Sequence, residues 1–254
     1  MRIDNIQIEY IAGIKKFSTA FDPKMNLICG PNGIGKTTIL ECVAQMFAGM
    51  RSDILKRNVN SVTGTVAAQY TNNGLSQNSQ LIIAGFKPSD TDYTQQTTEN
   101  SKKLLSLKVA RSFGYFSLDA ISRDSERNEH NISSCNKGGI NLLEIKNWFV
   151  NRFIFSKHEN SMAPEETHNF NLVKSFFGLL NPEFHFSRVD GGTHEIMVNT
   201  PTGEIYYEYL SSGFKSCLAI LFGITKEIEF IFKNPSVKID QFDGIILIDE
   251  IELH

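Results

Sequence analysis

Gly30-Pro31-Asn32-Gly33-Ile34-Gly35-Lys36-Thr37 is the most informative stretch of the chain. It meets the phosphate-binding pattern G-x-x-x-x-G-K-[ST] at every specified position. Glycines at 30, 33 and 35 allow backbone conformations that bring successive N–H groups around one anion. Upstream, Met25 to Cys29 is a short, nearly continuous apolar run, which predicts a strand buried on both faces. Downstream, Ile39, Leu40, Val43, Met46 and Phe47 recur at helical spacing, so Lys36 to Ala48 is predicted as a helix with one apolar face. A glycine loop between strand and helix adds the partial positive charge of the helix N-terminus to the anion site. There Lys36 would reach the β- and γ-phosphates of a nucleotide, the Thr37 hydroxyl would sit on Mg²⁺, and Thr38 would contact the α-phosphate. The candidate nucleotide-binding residues are therefore Gly30, Pro31, Asn32, Gly33, Ile34, Gly35, Lys36, Thr37 and Thr38.

A second stretch complements the first. Ile245-Ile246-Leu247-Ile248-Asp249-Glu250 is a hydrophobic strand ending in two carboxylates. Beside a phosphate loop, the first of them, Asp249, is the candidate to hold Mg²⁺ together with Thr37. Glu250 can polarise an attacking water as general base. Lys36 and Glu250 are the candidate catalytic residues, with ATP and Mg²⁺ as the implied ligands.

A third stretch narrows the class. Leu210-Ser211-Ser212-Gly213-Phe214-Lys215-Ser216 opens the helix that precedes the acidic strand. It resembles the LSGGE-K-S signature of ABC-type ATPases, in the branch containing SMC, RecF and OLD (overcoming-lysogenisation-defect) proteins. The resemblance implies that Ser211, Ser212, Gly213 and Lys215 contact the γ-phosphate of ATP held by another protomer, so that the site is completed across a dimer. As residues alone, Ser211 and Ser212 also suit a helix cap, and the two roles are compatible. Ser212 replaces the usual first glycine and Phe214 the usual Glu or Gln. Asp249 also follows Ser211 at a longer interval than in transporter ATPases. These departures are similar to OLD-type ATPases, whose acidic strand runs IDEIELHLHP where this chain reads LIDEIELH. The opening pattern, strand, Phe17, strand, then NLICGPNGIGKTTILE, is also similar to the RecF-like branch.

The implied fold is α/β: a P-loop NTPase of ABC-ATPase type, with a mixed sheet around the P-loop helix, an antiparallel β lobe and a helical insertion. One head is expected over 1–254. Residues 1–60 and 200–254 would form the nucleotide-binding core, 61–116 a β-rich lobe and 117–199 a helical lobe. A head of this type continues past the acidic strand with a D-loop, further strands and a switch histidine. The chain is thus expected to be the front part of a longer ATPase, and His254 is not taken for the switch histidine.

Between the motifs, strands are predicted at Arg2–Ile8, Ile14–Phe21, Val62–Tyr70, Gln80–Phe86, Leu104–Phe116, Glu183–Val189, His194–Asn199, Glu204–Tyr209 and Gly244–Ile248. Helices are predicted at Asn141–Phe155, Glu165–Leu180 and from Ser212 to about Phe232. Segments 87–103, 123–139 and 157–164 are poor in apolar residues and read as surface loops. Tyr115 and Phe116 read as core. The absence of heptads excludes the long coiled-coil arms of SMC-type proteins.

Hydrophobic residues at 41% and charged residues at 21% exclude disorder and a disulfide miniprotein. The longest apolar stretch, Cys217 to Ile224, is too short to span a bilayer, and the N-terminus has no apolar h-region. Cys29, Cys42, Cys135 and Cys217 form no CxxC pair, which suits thiols in a reducing cytoplasm. A net charge of −3 gives no global attraction to nucleic acid. Arg51, Lys56 and Arg57 read either as a nucleotide-sensing arginine region or, more simply, as a basic loop. Gln69 and Gln80 are within reach of a Q-loop position, which stays unplaced. The histidines share no metal-ligand spacing.

Resemblance to OLD-type proteins implies ATP binding and hydrolysis, ATP-sandwiched homodimers and a bacterial anti-phage role with a nuclease or Toprim effector domain or partner. Two other readings stand beside it. One is a RecF-like DNA-repair ATPase that clamps nucleic acid; the other is a scaffold with a structural nucleotide. Nothing suggests a membrane partner.

Overall fold

The computed structural model describes the chain apart from residues 49, 53, 95–97, 108–114, 129, 130, 139, 140, 234, 250 and 252–254. In chain order the first elements are β1 (Arg2–Ile11), β2 (Ile14–Ala20), α1 (Lys36–Ala48), β3 (Met50–Ser52), β4 (Gly64–Asn72) and β5 (Leu75–Ile83). There follow β6 (Asp92–Thr94), α2 (Thr98–Lys102), β7 (Leu104–Leu107), α3 (Ile132–Gly138), α4 (Leu142–Phe155) and α5 (Pro164–Leu180). The last are β8 (His185–Val189), β9 (Ile196–Thr200), β10 (Gly203–Tyr206), α6 (Ser212–Ile231) and β11 (Ile245–Ile248). The chain divides into two units.

The first unit comprises Met1–Ser106, Glu129–Gly138 and Asp243–Asp249. Its main sheet is antiparallel in the order β2-β1-β4-β5. Alternation through the middle of β1 and along β4 turns Ile6, Ile8, Val66 and Ala68 to one face, where they are buried. Ile39, Cys42, Val43, Met46 and Phe47 of α1 belong to the same apolar cluster, as the helical spacing requires. Phe47 meets the Tyr70 ring edge-on at 4.9 Å. β11 pairs with β7, and Ile245 and Leu247 join this core.

The second unit comprises Leu107–Asn128, Gly139–Phe242 and Glu250–His254. Helices α4, α5 and α6 and an antiparallel sheet in the order β10-β9-β8 enclose an aromatic core. Phe149 lies at its centre, 5.3 Å from Phe170, 5.2 Å from Phe186 and 5.3 Å from Phe222 between ring centroids. Asn141 caps α4 by accepting from the Glu144 amide at 3.1 Å. Pro164 occupies the first turn of α5, where its missing N–H costs nothing. A layer of charges is buried among the helices. Arg127 binds Glu144 and Glu227 at 2.9 and 2.8 Å, and Arg152 binds Glu229 and Asp124 at 2.8 and 2.9 Å.

Several expectations are corrected. Met25–Cys29 has no regular secondary structure and joins no sheet among the described residues. Met25 and Leu27 stay 76% and 74% exposed, and only Ile28 turns onto the core. The apolar run lacks a paired neighbour on either side, and without a ladder it has no faces to bury. The strand expected over Leu104–Phe116 holds only to Leu107; residues 108–114 fall outside the described residues. Tyr115 and Phe116 are exposed rather than core. Glu204–Tyr209 is strand only to Tyr206 and then a 3₁₀ turn over Tyr207–Tyr209. Segments 87–103 and 123–139 are not plain loops, since they carry β6, α2 and α3. The hydrophobic pattern hides them because polar side chains are buried there with partners. Ser101 donates to the Ala48 carbonyl at 3.0 Å, Ser133 to Ser101 at 3.1 Å, and Lys103 to Asn72 at 2.8 Å.

Candidate nucleotide-binding site

The phosphate loop runs from Met25–Cys29 into the first turn of α1. Gly33 and Gly35 have φ of +80° and +105°, conformations that L side chains rarely adopt. Gly35 is doubly constrained, because a Cβ there would meet Ile14 side-chain carbons at 3.0 and 3.1 Å. Ile14, from β2, thus sets how closely the loop backs onto the sheet. Pro31, Asn32, Gly33, Ile34 and Thr37 are exposed, while Lys36 and Thr38 are half-buried. The Lys36 ammonium folds over the loop, donating to the Gly30 carbonyl at 2.8 Å and to the Pro31 carbonyl at 3.4 Å. A cation is held over an open glycine loop at a helix N-terminus. That charge distribution suits a polyphosphate.

Thr37 and Asp249 come together. The threonine hydroxyl lies 3.0 and 3.3 Å from the two carboxylate oxygens. β11 places Asp249 at its C-terminal end, and α1 places Thr37 in its first turn. A hydroxyl and a carboxylate in contact, next to a phosphate cradle, form a hard oxygen donor set that fits Mg²⁺, which keeps its remaining positions for water and phosphate. Glu250 lies outside the described residues.

The signature stretch belongs to the second unit. Ser211 is the N-cap of α6 and accepts from the Phe214 amide at 3.3 Å. Ser211 and Ser212 are exposed, and Gly213 is half-buried. Phe214 packs on Phe184 with ring centroids 5.3 Å apart, which gives the residue in place of Glu or Gln an apolar role. Lys215 turns back along the chain and donates to the Glu208 carbonyl at 2.9 Å.

Lys56, Arg57 and Gln69, also singled out by sequence, have partners within the fold, and the Arg51 side chain lies outside the described residues. Arg57 stacks over Phe86 at 4.6 Å and donates to the Ser61 carbonyl at 2.5 Å, and Lys56 binds the Asp90 carbonyl. Gln69 bonds Asn5 and Ser76 across the sheet. A cluster around Lys146, Glu195 and Glu208 bore no motif, and only its burial in the fold reveals it. Among the described residues no helix is long and apolar enough to cross a membrane.

A family profile described as an AAA domain matches residues 5–188, which includes the phosphate loop and most of both units. The chain belongs to the AAA-domain family. With its phosphate loop, acidic strand and mixed α/β architecture, this AAA-domain protein is an ABC-type P-loop ATPase head. It is similar to the Septu protein PtuA of Bacillus thuringiensis, 38% identical over 255 residues. That alignment covers 99% of this chain and 64% of the relative, so the AAA-domain chain spans less than two thirds of the relative's length. Among solved structures it is similar to the recombination mediator protein RecF with ATP. The identity is 14% and the TM-score 0.40, over 100% of this chain and 86% of that one.

Proposed function

We propose that the chain binds Mg·ATP and hydrolyses it in a homodimer that acts as a switch in bacterial anti-phage defence. The observation that carries the chemistry is the meeting of Thr37 and Asp249 beside the Gly30–Lys36 cradle. Backbone N–H groups of the loop and the Lys36 ammonium hold the β- and γ-phosphates. Thr37 and Asp249 hold Mg²⁺, which supplies charge neutralisation at the phosphate oxygens. Glu250 takes a proton from water as its oxygen attacks the γ-phosphorus. The bond to the bridging oxygen breaks, and ADP and phosphate leave. Ser211, Ser212 and Gly213 of the second protomer offer hydroxyls and helix N-terminal amides to the γ-phosphate. ATP therefore joins two heads, and its hydrolysis releases them. The defence role, with a nuclease or Toprim effector, rests on the OLD-like motifs and on the likeness to PtuA.

A fluorescent-nucleotide titration of Lys36→Ala tests the cradle. The variant is expected to lose ATP binding, and retained micromolar affinity overturns the assignment. Glu250→Gln is expected to keep binding while slowing turnover and accumulating an ATP-bound dimer. Hydrolysis at the wild-type rate removes Glu250 as the base.

A further inference from the structure

The signature turn is braced from behind by side chains that no motif marks. Lys146, on α4, is buried and donates to Glu195 at 2.5 Å, to Glu208 at 3.2 Å and to the Phe116 carbonyl at 2.9 Å. Tyr115 donates to the other oxygen of Glu195 at 3.0 Å. Glu208 lies just before the signature, and Lys215 lies within its first helical turn. The Glu208 carbonyl accepts from the Lys215 ammonium, and the Lys215 carbonyl accepts from the hydroxyl of half-buried Tyr207 at 3.4 Å. Two hydrogen bonds thus close residues 207–215 into a ring, and the ring is anchored to α4 through the Glu208 carboxylate. A cavity of about 50 Å³, lined among others by Lys146, Ile196, Tyr207, Glu208 and Phe222, lies under it.

Two of the three buried side-chain polar atoms without a hydrogen-bond partner among the described residues flank this ring. They are Glu208 Oε2 and the hydroxyl of Ser216. Lys146 is shared between Glu195 and Glu208 in a largely buried cluster, where solvent screening is reduced and removal of Lys146 would leave two carboxylates without their cation. The Ser211 cap and the first turn of α6 orient the amides relative to the helix, and Ser211 and Ser212 themselves are exposed. How the turn sits against α4 is set by the groups on either side of it, Glu208 before and Lys215 after.

We infer that Glu208 is the positioning residue of the signature: held by Lys146 and closing on Lys215, it fixes the orientation in which Ser211, Ser212 and Gly213 meet the γ-phosphate. This inference rests on the trans-signature role proposed above. It makes α4, through Lys146, a lever on ATP turnover that has no part in nucleotide affinity at the phosphate loop.

The test uses the full-length protein with Glu208→Gln and Tyr207→Phe, the second removing the other bond of the ring while leaving the carboxylates and the signature residues untouched. Affinity and stoichiometry for a fluorescent ATP analogue are measured beside kcat. Both variants are expected to bind nucleotide as the wild type does and to lose kcat by about tenfold or more. A merely structural role would lower the amount of folded protein, and binding stoichiometry would fall together with turnover. Ser212→Arg, which blocks the turn itself, separates the two layers of the reading. Loss of turnover in Ser212→Arg with wild-type kcat in Glu208→Gln and Tyr207→Phe overturns the positioning role alone. Full turnover in Ser212→Arg overturns the trans-signature role, and this inference with it.

Discussion

Thr37 Oγ1 lies 3.0 Å from a carboxylate oxygen of Asp249, although 212 residues separate them in sequence. The contact exists because α1 begins at the phosphate loop and β11 ends beside it, within one unit built around a shared apolar core. Two candidate oxygen ligands from opposite ends of the chain are thereby brought into contact.

Removing the charge from that site should separate metal-dependent from metal-independent binding. Asp249→Asn is expected to lose about tenfold in ATP affinity when Mg²⁺ is present and almost nothing when it is chelated. Titration of labelled ATP with and without Mg²⁺ makes the comparison. Equal losses under both conditions would mean that Asp249 serves the loop's structure rather than the metal.

Cysteine chemistry reports on the same loop. Cys29 is exposed and immediately precedes Gly30, and Cys217 is exposed on α6. Burial first, and then the neighbouring Glu41 carboxylate, push the Cys42 thiol up to about 12. Brief alkylation of the native protein followed by peptide mass spectrometry should therefore modify Cys29 and Cys217 and spare Cys42. Mg·ATP should protect Cys29. Labelling of Cys29 that ignores nucleotide would place the phosphates elsewhere.

Acid stability tests the buried charges of the second unit. Burial alone would raise the Glu144 carboxyl. Lys226, then hydrogen bonds from Arg127 and Lys226, outweigh it and hold the carboxyl at about 2 instead of 4.5. A depressed carboxyl contributes stability that is complete above its unfolded value and disappears as pH falls through the folded one. Unfolding free energy should thus decline between pH 4.5 and pH 2. Glu144→Gln should be less stable at neutral pH and show a shallower decline over that window, read from urea denaturation at several pH values. An unchanged slope would mean that other carboxylates carry the acid sensitivity.

The parts of this protein that sequence made legible are those where local chemistry is repeated or forced. The glycines at 33 and 35 are the residues that φ of +80° and +105° demand, and the apolar spacing of α1 is the face that meets the sheet. The bounds of α4, α5 and α6 follow from Asn141, Pro164 and Ser211 at their starts. Met25–Cys29 misled because an apolar run reports a preference for burial, whereas a strand also needs a neighbour to bond. The short α2 and α3 were hidden because Ser101, Asn100 and Ser133 enter the interior through hydrogen bonds, which hydrophobic periodicity does not record. The brace around Glu208 was equally hidden: Lys146 and Glu195 are far apart in the chain, and nothing in either neighbourhood marks a buried charge.

A site shared between two protomers can be tested by mixing two inactive variants. Lys36→Ala removes the phosphate cradle but leaves the signature, and Ser212→Arg does the reverse. Each alone should be inactive in steady-state ATP hydrolysis. In a mixed dimer, the intact loop of one protomer faces the intact signature of the other, so one of its two sites is whole. Equal mixing with free exchange should restore about a quarter of wild-type activity per protomer. A mixture that stays as inactive as its components, although it forms mixed dimers, would contradict the shared site.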